Sequence, residues 1–203
     1  MNIYFSGIGG VGLGPLAMIA QDAGYQVNGS DTGSSLVTKQ LSARNISFSR
    51  DQSGQALRKI HKDQPIDWLV YSAALDEDHP ELVAAHELGI KITKRDEFLS
   101  DIISTKGLKL IAVSGTHGKT STTGMIVWLA KYFGIPVSFS LGTTTSWCPS
   151  GLLHPRSEYF VYECDEFDKN FLHFQPFLSI VTNIEHDHPD TYPTEDSYFQ
   201  AFG

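Results

Sequence analysis

The chain has 203 residues, of which 41% are hydrophobic and 19% charged, a balance that excludes a disordered or fibrous protein. With 15 basic against 23 acidic side chains and a formal charge of -8, it does not fit a general nucleic-acid binder, although a local basic loop can still hold a phosphate. Two cysteines are too few for a disulfide framework, no basic residue precedes Lys39 as a secretory signal would require, and no apolar run reaches the roughly 18 residues of a membrane helix, so a cytoplasmic protein with no membrane partner is expected.

In chain order, a strand is expected at Asn2–Ser6, then the loop Gly7-Ile8-Gly9-Gly10-Val11-Gly12, then a helix with Leu13, Leu16, Ala17, Ala20 and Ala23 on one face. Further strands are expected at Tyr25–Asn28, Asp67–Ser72 and Lys91–Thr93. The polar link Ser104-Thr105-Lys106-Gly107 leads into a strand at Leu108–Ser114, the loop Gly115-Thr116-His117-Gly118-Lys119-Thr120, and a helix with Met125, Ile126, Leu129, Ala130 and Phe133 on one face. Strands follow at Tyr159–Glu163 and Leu178–Asn183, and Thr194–Phe202 reads as a helix being entered. Most of the strand runs are continuously apolar, as in parallel sheets covered on both faces. The expected fold class is α/β: a Rossmann-like N-terminal domain with a parallel sheet, residues 1–106, followed by the start of a P-loop ATP-binding α/β domain, residues 107–203.

The first loop has the pattern G-x-G-x-x-G between strand and helix, where glycine lets the backbone approach a diphosphate and the helix N-terminus offers free N–H groups. Asp31 stands 19 residues beyond Gly12, where a ribose hydroxyl would be bonded, but it also fits a turn residue in Gly29-Ser30-Asp31-Thr32-Gly33. Ser72, at another strand end on the same sheet edge, could bond the ligand or enter a turn. The pattern does not separate a dinucleotide from a nucleotide-sugar.

The second loop keeps the G-K-T core of a phosphate loop, with Val113 where a strict pattern has its first glycine. Its N–H groups can cradle phosphates, Lys119 can neutralise their charge, and Thr120 can offer a hydroxyl to Mg²⁺. An acid where the next strand ends could reach the same ion, and in Glu163-Cys164-Asp165-Glu166-Phe167-Asp168 the best placed is Glu163. Glu166 and Asp168 read better as a solvated turn. The cluster Ile184-Glu185-His186-Asp187-His188 marks a second candidate metal position.

Together these motifs resemble the Mur ligase family of peptidoglycan synthesis, above all those members that add L-alanine to UDP-N-acetylmuramate. The likeness covers nearly the whole chain: the Gly7–Gly12 loop, Gly29-Ser30-Asp31, Ser72-Ala73-Ala74, Pro80–His86, Gly115–Thr120, Glu163–Asp168 and Thr182–His188. It implies an ATP- and Mg²⁺-dependent ligase in which the muramate carboxylate attacks the γ-phosphate of ATP and an amine then displaces phosphate from the acyl phosphate. By the same likeness Gly115, Thr116, His117, Gly118, Lys119, Thr120 and Ser121 bind ATP. Thr120 and Glu163 hold one Mg²⁺, and His188 a second. Asn183 and His117 line the reacting end, and Gly7, Gly9, Gly10, Gly12, Asp31 and Ser72 hold the UDP-sugar. The C-terminal ligase domain of the family would be absent, so the chain is not expected to catalyse alone. Three alternatives remain at this stage: a recycling ligase that adds a tripeptide to the same sugar nucleotide, a nicotinamide-dependent oxidoreductase built on the first loop, and a nucleotide-binding regulator without chemistry.

Overall fold

The computed structural model of the chain describes residues 1–72, 74–164, 174–185 and 194. Two sheets follow one another along it. The first is made of β1 (Asn2–Ser6), β2 (Gln26–Ser30), β3 (Trp68–Tyr71) and β4 (Lys91–Lys94), all parallel, in the order β2-β1-β3-β4. Every residue of β1 is buried, as its central place requires. Ser6 stands level with Ser30 and with Tyr71, so three strands end together beside the first glycine loop.

The second sheet contains β5 (Lys109–Ser114), β6 (Ser138–Ser140), β7 (Gly151–Leu152), β8 (Tyr159–Glu163) and β9 (Leu178–Val181), in the order β7-β6-β8-β5-β9. All neighbours are parallel except β6 and β7, which makes this sheet mixed where a parallel one was expected. Val113 pairs with Glu163 and Ser114 with Val181, so the strand ends that carry the candidate acid and the 182–185 segment flank the second loop.

Helices α1 (Leu13–Asp22), α2 (Leu36–Ala43), α3 (Gln55–Asp63), α4 (Pro80–Glu87) and α5 (Arg95–Thr105) connect the strands of the first sheet and lead to the second. Local chemistry fixes their starts. Ser35 caps α2 through a reciprocal pair with Thr38, and Pro80 occupies the first turn of α4, where its missing N–H has no cost. Residues Leu13 to Ala20 of α1 are all buried, not one face of them, because α1 is packed on both sides. One side meets the first sheet, and the other meets β7, where Gly151 lies against the Pro15 backbone. Phe98, Leu99, Ile102 and Ile103 of α5 join the same core as Leu110, Phe160 and Tyr162 of the second sheet. Hydrogen bonds tie the halves as well: Ser150 N and Oγ donate to Gln40 Oε1, and Leu153 N donates to Asp22 Oδ2 at 3.0 Å.

Helix α6 (Lys119–Tyr132) covers the other face of the second sheet. It does so with Thr123, Val127 and, in part, Ile126, which meet Val113, Phe139, Leu141 and Val161. Met125, Leu129 and Phe133 are exposed, contrary to the apolar face expected of them. The periodicity finds a stripe but not which side the sheet takes, and here the sheet takes the smaller residues. The expected helix at Thr194–Phe202 lies, apart from Thr194, outside the described residues. No helix among the described residues is long and apolar enough to cross a membrane.

Candidate functional site

Both glycine loops open from the carboxyl ends of central parallel strands, the edge at which open α/β sheets take ligands. The first is closed from within. Gly7 N and Ile8 N donate to the Ser30 carbonyl at 2.9 and 3.0 Å, and the Asp31 carboxylate accepts from Gly9 N at 2.8 Å and from Gly33 N at 2.7 Å. Asp31 therefore performs the turn role foreseen for it and, in addition, clamps the loop. Ser72 also acts in a turn, its hydroxyl accepting from Ala74 N at 3.3 Å, while its Cβ lies close to Gly7. Gly10 N is bonded to the Gly7 carbonyl at 3.2 Å.

Behind this loop stands Glu81, fully buried in the first turn of α4. Its carboxylate accepts from the Tyr4 hydroxyl at 2.7 Å, the Ser30 hydroxyl at 2.6 Å and the Ser6 hydroxyl. Burial and then the nearby Glu81 charge push the Tyr4 hydroxyl far above its ordinary value, so Tyr4 remains a donor. One carboxylate thus pins the ends of β1 and β2. Sequence reasoning gave Glu81 no role, and its signal would have been an acid directly after a helix-opening proline.

The second loop is braced from across the sheet. Gly115 has φ +121, and a Cβ there would lie 2.6 Å from the Asn183 carbonyl oxygen, so only glycine fits. Thr182 Oγ1 donates to the Ser114 and His117 carbonyls at 3.1 and 2.6 Å, and the Asn183 carboxamide accepts from His117 N at 2.8 Å. Thr116 and Glu185 bond in both directions, at 2.8 and 3.0 Å. Gly118, in left-handed backbone, then starts α6 and leaves its first N–H groups directed at the loop. Lys119 Nζ donates back to the Gly115 carbonyl at 2.5 Å, inside the cradle. His117 is exposed, 3.9 Å from Glu185.

The expected metal pair is in contact. Thr120 Oγ1 donates to Glu163 Oε2 at 2.8 Å, and Glu163 Oε1 accepts from Gly142 N at 2.9 Å. A hydroxyl and a carboxylate meeting beside a phosphate cradle are the hard oxygen donors that Mg²⁺ takes while keeping water and phosphate ligands. The residues present fit that ion. His188 lies outside the described residues, as do His186, Asp165, Glu166 and Asp168, and no group of three or more His, Cys, Asp or Glu suited to a metal occurs among the described residues.

Between the two loops lies a cavity of about 220 Å³, lined by Gly12 on one side and Lys119, Gly142 and Glu163 on the other, with Arg95 and Tyr162 among its remaining walls. Sequence reasoning did not find Arg95, because nothing local marks the first residue of a helix 83 positions after Gly12 as its neighbour.

Comparison with known proteins agrees with this geometry. Residues 2–106 match the Mur ligase family, catalytic domain, and residues 113–203 match the Mur ligase middle domain. The chain is 37% identical over 202 residues to the UDP-N-acetylmuramate–L-alanine ligase of Frankia alni, with 99% of the chain and 34% of that protein covered. Among solved structures it superimposes on the UDP-N-acetylmuramate-alanine ligase MurC of Thermotoga maritima with a TM-score of 0.86 at 28% identity, over 100% of this chain and 46% of that one. It superimposes on the UDP-N-acetylmuramate:L-alanyl-gamma-D-glutamyl-meso-diaminopimelate ligase of Neisseria meningitides with a TM-score of 0.84 at 27% identity, over 99% and 66%. The chain spans about a third of the length of the curated relative it matches.

Proposed function

Because the chain belongs to the Mur ligase family, we propose that it carries the sugar-nucleotide and ATP sites of an ATP-dependent ligase joining L-alanine to the carboxylate of UDP-N-acetylmuramate, in the cytoplasm, for peptidoglycan precursor synthesis. The observation that carries this is the cavity that puts Lys119 and Glu163 opposite the first glycine loop. A sugar nucleotide held by its diphosphate at one loop can present a carboxylate toward a triphosphate held at the other.

The first loop binds: Gly7, Gly9, Gly10 and Gly12, lacking side chains, let the diphosphate come close to the backbone, Asp31 keeps the loop in shape, and Ser72 borders it. The second loop orients: Gly115, Thr116, His117, Gly118 and Ser121 surround the phosphates, and the Lys119 ammonium lies where negative charge gathers in phosphoryl transfer. Mg²⁺, held by Thr120 and Glu163, would supply the positive charge that lets two anions approach. A carboxylate oxygen then attacks the γ-phosphorus as ADP departs. The mixed anhydride so formed is attacked at its acyl carbon by the amine, which loses a proton as phosphate leaves. Asn183, held against His117, borders the reacting end, and His188 would complete a second metal position.

The likeness to the Neisseria protein favours one second reading, in which the amine belongs to a peptide and not to free alanine. The sugar-nucleotide half is the same in both. Calorimetric titration with UDP-N-acetylmuramate and with NADH tests that half: binding of the sugar nucleotide alone is expected, with a dissociation constant from about micromolar to millimolar, and binding of NADH alone overturns the ligase in favour of an oxidoreductase.

A further inference from the structure

Away from both glycine loops, a cavity of about 370 Å³ opens between the C-terminal half of α6 and the antiparallel pair β6 and β7. That lies within the roughly 300–1,000 Å³ of small-molecule pockets. Lys131, which borders it, stands about 18 Å along α6 from Lys119 at a rise of about 1.5 Å per residue, so the phosphate cradle is at the other end of the helix. The walls are largely apolar: Val127 and Phe139, both buried, line the cavity together with Trp147, Cys148 and Leu152. Lys131 holds Trp147 in place, its Nζ donating to the Trp147 carbonyl at 2.6 Å and lying 5.8 Å from the centre of the ring. His154 and Arg156 border the cavity as well, and no Asp or Glu is among the described residues that line it. His154 Nδ1 accepts from Arg156 N at 3.2 Å, and His154 N donates to Ser138 Oγ at 2.9 Å, so the backbone of Arg156 is anchored to β6. The Arg156 guanidinium itself has no partner among the described residues.

We propose that this cavity is a further small-molecule site and that it takes an aromatic carboxylate, its ring against Trp147 and its anionic head on Arg156. Charge complementarity selects the head. Two cations and no described acid border an apolar space, in a chain whose formal charge is -8. Lys131 is already engaged in holding Trp147, which leaves Arg156 for the ligand. The planar fork of a guanidinium meets a carboxylate through two parallel N–H bonds. The walls select the body. The Trp147 indole offers a flat apolar face, which another aromatic ring covers by offset stacking. Phosphates held at the start of α6 do not need this end of the helix, so the ligand binds alongside ATP and not in its place. The site does not depend on the ligase function proposed above.

The test titrates the chain calorimetrically with 1-naphthylacetate and with the uncharged 1-naphthylacetamide, which share a ring and differ in the anionic head. The acid should bind with a dissociation constant below about 1 mM and about fivefold more tightly than the amide, the size of an exposed ion pair. R156A should cut that preference to less than about twofold with amide binding unchanged, whereas W147A should weaken both ligands about tenfold and keep the preference. The acid should also protect Cys148 from alkylation by iodoacetamide, read on its own peptide by mass spectrometry, while Cys164, 2% exposed, should stay unreacted either way. Failure of the acid to bind overturns the site. Equal binding of acid and amide, or a preference that survives R156A, overturns the anionic head on Arg156. Binding that neither W147A nor Cys148 alkylation registers places the ligand elsewhere and overturns the site too. Displacement of the acid by ATP makes the cavity part of the nucleotide site and overturns its independence. If W147A does not fold, Cys148 protection decides the location.

Discussion

The loop after β1 takes its clamp from Asp31, 22 residues away and just past the end of the very next strand, whereas the loop after β5 takes its brace from Thr182, Asn183 and Glu185, which lie 65 to 69 residues further along the chain. Both loops join a central strand to a helix, and both use glycine to let the backbone turn. What differs is the sequence distance over which each must be held. A local clamp survives changes elsewhere in the fold. A remote brace makes the second loop's shape depend on whether β9 has docked beside β5, so phosphate binding there reports on the completeness of the second sheet.

The sharpest way to break this contrast is Gly115→Ala. A methyl group at φ +121 and against the Asn183 carbonyl forces the loop away from its brace. ATP affinity should fall at least about 100-fold and unfolding free energy about 2–3 kcal/mol, read by calorimetry and urea titration. Retention of ATP affinity within about threefold would show that the brace does not shape the loop. Next comes a crossed pair: Asp31→Ala should weaken UDP-N-acetylmuramate about tenfold and leave ATP unchanged, and Asn183→Ala should do the reverse, each losing one hydrogen bond to a loop N–H. If each change weakens both ligands alike, the loops are not held separately.

The smallest effect concerns the support behind the first loop. Tyr4 binds its proton more tightly folded than unfolded, so its contribution to stability is whole below about pH 10, the ordinary tyrosine value, and is lost as pH rises beyond it. The unfolding free energy read by urea titration should be level from pH 7 to 9 and fall above about 10, by up to about 1.4 kcal/mol per pH unit for each such tyrosine. Tyr4→Phe should make the fall shallower, and an equally steep fall would remove Tyr4 from the account.

Much of the fold could be read from the residues because it was written in unbroken apolar runs. Asn2–Ser6 and Tyr159–Glu163 are strands over the expected bounds, and the other expected strands shift by one or two residues at their ends. Ser138–Ser140 and Gly151–Leu152 escaped because three and two residues, set among serine, threonine, glycine and proline, carry no period. The outward side of α6 escaped for another reason: an apolar stripe shows that a helix has a preference, and only the neighbouring sheet decides whether it is met. At the site, residues whose chemistry is local, such as Lys119 and Thr120, were legible from the motif. Those whose meaning is tertiary were not. Glu81 bonds residues 51 to 77 positions away, Arg95 lies beside Gly12, 83 positions away, and no spacing rule reaches that far.

The double burial of α1 also orders events on the ribosome. The strands and helices of the first sheet are all synthesised by Thr105, yet the side of α1 that meets β7 has no cover until Gly151 emerges. At about 5–20 residues per second, the nascent chain carries a helix with a bare apolar side for roughly 2–9 s. That interval is when trigger-type chaperones that hold exposed hydrophobic surface would matter most, and a pause in translation within residues 106–151 would lengthen it.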